Sequence, residues 1–62
     1  MDPNSNLKEQ LHLAQHIINT DDPTVRVGAA IRLAELVEAL DEWLRRGGFR
    51  PAAWEQGPKK NV

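Results

Sequence analysis

Cysteine is absent from the chain, which removes disulfides, thiolate zinc sites and thiol nucleophiles together. Tyrosine is absent too, and two tryptophans and one phenylalanine are the whole aromatic complement. Apolar runs are only a few residues long, so no transmembrane span is expected. The polar opening Met1-Asp2-Pro3-Asn4-Ser5-Asn6 lacks the charged and apolar regions of a secretory signal, and a cytoplasmic location is the expectation. An excess of one charge is also missing, with 8 Lys and Arg against 9 Asp and Glu. Without a positive field, neither nucleic acid nor an anionic membrane is an expected partner.

What remains is 62 residues with 40% hydrophobic side chains, enough for one small unit. Chains of this size bury only about 60% of the surface they expose when unfolded, and a single core below roughly 70–80 residues yields a few kcal/mol at most. With disulfide and thiolate staples excluded, association with another chain is the remaining route to stability. Self-association, most simply as a homodimer, is therefore expected, and a host protein is the second candidate partner.

Hydrophobic periodicity indicates two helices. Leu7, Leu11, Ala14 and Ile18 fall on one line at about 100° per residue, flanked by Leu13 and Ile17. Asn6 in front of that line, with Glu9 three residues on, suggests an N-cap and a first helix over about 6–19. Asp22-Pro23 then reads as the N-cap and first residue of a second helix. Its pattern runs over about 23–46, past Gly28, to the Gly47-Gly48 stop. The short loop predicts an antiparallel hairpin. At 1.5 Å per residue the helices would measure roughly 21 and 36 Å, leaving the second helix uncovered from about Val37 onward.

The uncovered part is apolar. Leu33, Leu36, Val37, Leu40, Trp43 and Leu44 form a helical series, and Phe49 and Trp54 follow in a segment that Pro51 could fold back. These eight residues are the expected interface, with Val27, Ile31 and Ala34 widening the apolar arc. The fold expected is all-α: a helical hairpin with an aromatic C-terminal segment, residues 1–56 forming one domain that dimerises into a four-helix assembly and residues 57–62 a disordered tail.

Two stretches carry resemblances. Asp22-Pro23-Thr24-Val25-Arg26, followed by small residues and Leu33-Ala34-Glu35-Leu36, resembles one helical hairpin of a HEAT-type repeat. Such hairpins stack in arrays and one unit is present here, so the likeness concerns the hairpin alone. Residues 34 to 54, with Trp43-Leu44, Gly47-Gly48-Phe49 and Pro51-Ala52-Ala53-Trp54, resemble small helical proteins of unknown function from actinobacteria and their phages. That resemblance implies an origin and no activity.

Candidate chemistry is sparse. His12 and His16 have the i, i+4 spacing of two metal ligands, but Leu13 stands where the zinc-protease motif needs its glutamate. They oppose the apolar line, so a solvated face is expected, with no metal and no cofactor. Arg45, Arg46, Arg50, Lys59 and Lys60 are the basis of an alternative reading, a small dimeric nucleic-acid-associated regulator. Asp41 and Glu42 lie four residues before Arg45 and Arg46, as surface ion pairs do. Ser5, Thr20 and Thr24 all sit at helix starts or turns, where hydroxyls bond backbone amides. No enzyme is expected, and the function indicated is a non-catalytic protein–protein interaction or assembly module, phage-derived by its resemblance.

Overall fold

The structure is a computed structural model and describes residues 1–55. Residues 56–62, with Lys59, Lys60 and the expected disordered tail, lie outside the described residues. Three helices follow in order: α1 Pro3–Asn19, α2 Pro23–Arg45 and the single turn α3 Ala52–Glu55. Among the described residues there is no strand, and no helix is long and apolar enough to cross a membrane. The chain is an all-α helical hairpin.

The same dipeptide opens both long helices. Asp22 caps α2 as its sequence indicates, accepting from the Thr24 and Val25 amides, with Pro23 at the first helical position, where its missing N–H costs nothing. Asp2-Pro3 does likewise for α1: Asp2 Oδ1 accepts from the Asn4 N–H at 2.9 Å and the Ser5 N–H at 3.3 Å. Hence α1 starts at Pro3, three residues before the expected start, and Asn6 is no cap. At its other end α2 stops at Arg45, with Arg46 as C-cap. Gly47, at φ 90°, supplies the left-handed residue. Its N–H donates to Leu44 O and that of Gly48 to Trp43 O, a Schellman closure.

Freed from capping, Asn6 is buried between the helices. Its Nδ2 donates to Leu36 O at 3.0 Å, using that carbonyl's second lone pair, and its Oδ1 accepts from Gln10 Nε2 at 2.6 Å. Opposite it α2 buries Ala29, Leu36 and Leu40. Half-buried Leu7, Leu13, Ala14, Ile17, Leu33 and Leu44 fill the remaining contact. The expected line through Leu11 and Ile18 is therefore displaced. A buried amide at position 6 turns α1 so that Pro3, Asn6, Gln10, Leu13 and Ile17 face α2, leaving Leu11 and Ile18 exposed.

The open end of the hairpin is closed by the segment after α2. Among the described residues Pro3 and Pro51 have fully buried side chains. The Ala52 N–H donates to Asn4 Oδ1 at 2.6 Å, and Trp43 Nε1–H donates to Phe49 O at 2.9 Å. Gly48 lies against the Trp43 indole so closely that a Cβ there would collide with Cε2 and Nε1. With its extra turn, α1 also reaches further along α2 than expected. Leu40 is consequently not uncovered: it is 4% exposed.

Two outcomes test these joints. Asp2→Ala is expected to lower stability by about 0.5–2 kcal/mol, as Asp22→Ala should, since each leaves two first-turn amides without their acceptor. Urea titration of both variants measures it. Gly48→Ala, which forces the indole of Trp43 aside, is expected to cost about 1–3 kcal/mol and to change tryptophan fluorescence in the folded protein. An unaltered emission spectrum would show that Trp43 does not lie on Gly48.

Candidate interaction surface

Two antiparallel helices make a single layer, here 13 Å thick. Such a layer has two broad faces, and α1 and α2 distribute different chemistry to each. Taking about 100° per residue and the opposite directions of the two helices, Glu9 and Arg32 project to one face. They meet there: Arg32 Nε and Nη2 donate to the two carboxylate oxygens of Glu9 at 3.0 and 3.2 Å. Glu35 adds a looser contact to Arg32 at 3.7 Å. Trp43 turns toward the same side and holds Phe49 edge-on, with ring centroids 5.6 Å apart and an interplanar angle of 85°.

The opposite face is apolar. On α1 it carries Leu11, 59% exposed, and Ile18, 72% exposed. On α2 it carries exposed Val27, Ala30, Ala34 and Val37, with Ile31 on the flank. At the open end of the hairpin this face meets a groove of about 200 Å³ lined by Gln10, Val37, Leu40, Asp41, Leu44 and Trp54. Trp54 reaches it from the single turn that follows Pro51, in which the Trp54 N–H donates a hydrogen bond to Pro51 O.

The eight residues expected to form one interface are thus not one surface. Leu36 and Leu40 are buried inside the hairpin and Leu33 is half-buried beside them. Trp43 and Phe49 belong to the ion-paired face. Val37, Leu44 and Trp54 border the apolar face. Leu11 and Ile18, placed in the core by their periodicity, are among its most exposed aliphatic side chains. The signal that could have found them is the pairing of Asn6 with Gln10: two amides in one helical register compete with the leucine line for the buried stripe.

Other candidate groups take structural partners. Arg45 pairs with Asp41 at 2.8 Å, Arg46 with Glu42 at 2.9 Å and Arg50 with Glu55 at 2.8 Å, so each described arginine of the basic cluster has its charge offset by a carboxylate. The Ser5 hydroxyl donates to Asp2 Oδ2, and Thr20 Oγ1 accepts from the Asp22 N–H. His12 and His16 are exposed. No three potential metal-binding side chains converge among the described residues. No protein-family model matches the chain, and neither curated proteins nor solved structures show a match.

Hydrogen bonding from Arg32, reinforced by its charge, holds the Glu9 carboxyl below its ordinary value of 4.5. The Ser5 hydroxyl and amide do the same for Asp2, below 3.8. Folded-state values below unfolded ones mean that both carboxylates favour the fold above their ordinary pKa and lose that contribution as pH falls through the folded value. The melting temperature is expected to be flat near neutrality and to fall as pH drops from about 5 toward 3. Glu9→Gln should reduce the slope, and a slope equal to that of the parent protein would remove Glu9 from the account.

Proposed function

We propose that this chain is a non-catalytic interaction and assembly module whose partner is a second copy of itself, the pair forming a four-helix assembly. The observation that carries the reading is the apolar face of a layer one helix thick. Domains ordinarily bury their apolar surface between two packed layers, and contiguous apolar patches left on a surface mark interaction sites. Here Leu11, Ile18, Val27, Ile31 and Val37 are all about half exposed or more, while among the described residues the buried apolar side chains are Ala29, Leu36 and Leu40 with the prolines Pro3 and Pro51. The 41 × 29 Å breadth of the layer can supply the roughly 800 Å² per partner of a standard interface.

Catalysis has no place in this reading, because the hydroxyls of Ser5 and Thr20 are engaged at helix caps. Phage-type origin is proposed on the resemblance of residues 34 to 54 alone. Trp54 and Leu44, at the end of the apolar face, extend the contact toward the C-terminal segment. Sedimentation equilibrium is the test. A mass above 7.0 kDa at micromolar concentration is expected, together with a melting temperature that rises with protein concentration. A fully folded 7.0 kDa species at every concentration would overturn the proposal and leave the face to a different protein.

A further inference from the structure

The apolar stripe of α2 has a symmetry that the fold does not require. Ala30 and Ala34 stand two residues either side of Arg32, and Val27 and Val37 five residues either side. All four lie within about 80° of the helix circumference, and all are exposed. A two-fold interface is self-complementary: residue i of one copy meets residue j of the other, and j meets i. Two α2 helices packed antiparallel about the level of Arg32 meet that condition. Ala30 then lies level with Ala34 of the second copy, and Val27 with its Val37. The two alanine layers at the centre allow the backbones to approach closely, and the valine layers fill the wider gap on either side.

Charge selects the same direction. Arg26 and Glu38 lie six residues either side of Arg32, and neither is in an ion pair among the described residues. Running the helices antiparallel brings the Arg26 end of one stripe beside the Glu38 and Asp41 end of the other and opposes the helix dipoles. A parallel pair would set Arg26 beside Arg26 and Glu38 beside Glu38. The same two-fold places α1 over α1, because α1 lies to the same side of α2 in each copy. Leu11, near the level of the axis, is covered by the second α1, and Ile18 falls on its N-terminal half.

Resting on the reading of a self-associating module, we infer that a second copy covers this face through an antiparallel α2–α2 seam, with Ala30 of each copy beside Ala34 of the other. Because the chain has no cysteine, single-cysteine variants report the seam without background. Residues side by side across it fall within the 4.4–6.8 Å Cα separation typical of a disulfide. Ala30 and its own copy are offset by four residues, about 6 Å along the axis, which puts them out of reach.

Ala30→Cys and Ala34→Cys, refolded together and oxidised, are expected to form the mixed disulfide at least tenfold faster than either variant alone forms its own. Val27→Cys with Val37→Cys should show the same preference. Circular dichroism and sedimentation of the reduced variants establish that they fold and associate like the parent. Faster self-coupling of Ala30→Cys or Ala34→Cys would mean a parallel seam or an antiparallel one centred elsewhere, and either would overturn the inference. Absence of any mixed disulfide in a protein that sediments as an oligomer would also overturn it, while leaving self-association standing. A folded monomer would remove both.

Discussion

A single buried amide governs which side chains this protein hides and which it shows. Asn6 donates to Leu36 O from within the helix–helix contact, and breaking that contact would leave a polar group without a partner in an apolar setting, at a cost of about 1–3 kcal/mol. The bond therefore fixes the rotation of α1 about its own axis and its level along α2. Gln10, one turn on, secures the Asn6 amide in place. Once position 6 faces α2, positions 3, 10, 13 and 17 must follow by helical geometry, and positions 11 and 18 turn away. The exposed aliphatic ridge of α1 is a direct consequence of where this amide sits.

Closure of the open end depends on different chemistry. The last turn of α2 carries Trp43, which stays half-buried beside the segment that follows the helix. Gly47 turns the chain in the left-handed region and Gly48 gives the indole a flat backbone to lie on. Trp43 Nε1 then ties Phe49 O, and the chain reaches Pro51 and the Asn4 side chain. Pro3 and Pro51, both with fixed φ and no amide donor, can be buried there without stranding an N–H. Within the returning segment the buried group is Pro51, since Phe49 and Trp54 both keep substantial exposure.

Local signals in the sequence were legible, and the rotation of one helix was not. Asp22-Pro23 marks the start of α2 because a carboxylate that can accept two amides precedes a residue preset for the first turn. Asp2-Pro3 carries the same signal, and it was masked by the Asn6 and Glu9 spacing, which mimics a capping box. The Gly47-Gly48 stop and the paired surface arginines follow from nearest-neighbour chemistry and read correctly. In α1 periodicity correctly put Leu7, Leu13, Ala14 and Ile17 in the contact and misplaced Leu11 and Ile18, because Leu7, Leu11, Ala14 and Ile18 form a truer apolar line than the stripe that packs. Periodicity reports which residues avoid water and carries no information on whether a hairpin partner or another surface covers them. The interface set of α2 mixed residues from three surroundings for the same reason: an arc wider than one neighbour is apolar throughout, and only the position of α1 divides it.

That division bears on how a chain this small could hold one structure. A hairpin whose two long helices bury so few aliphatic side chains between them, Ala29, Leu36 and Leu40 among the described residues, resists unfolding weakly, and the large aliphatic residues left exposed outnumber them. In the proposed dimer the two deficits offset each other, because the side chains excluded from the hairpin form the second contact. Asn6 then has a role beyond the hairpin. A leucine at that position would bury more apolar surface, yet its stripe would then be chemically equivalent to the line through Leu11 and Ile18, and α1 could settle in more than one rotation. Each rotation would present a different outer face. A buried amide with one matching carbonyl stabilises less than a hydrophobe and discriminates more between rotations, as single polar residues do in helical assemblies. By holding α1 in one rotation, it also holds the outer aliphatic ridge in the single orientation that a two-fold partner would have to match.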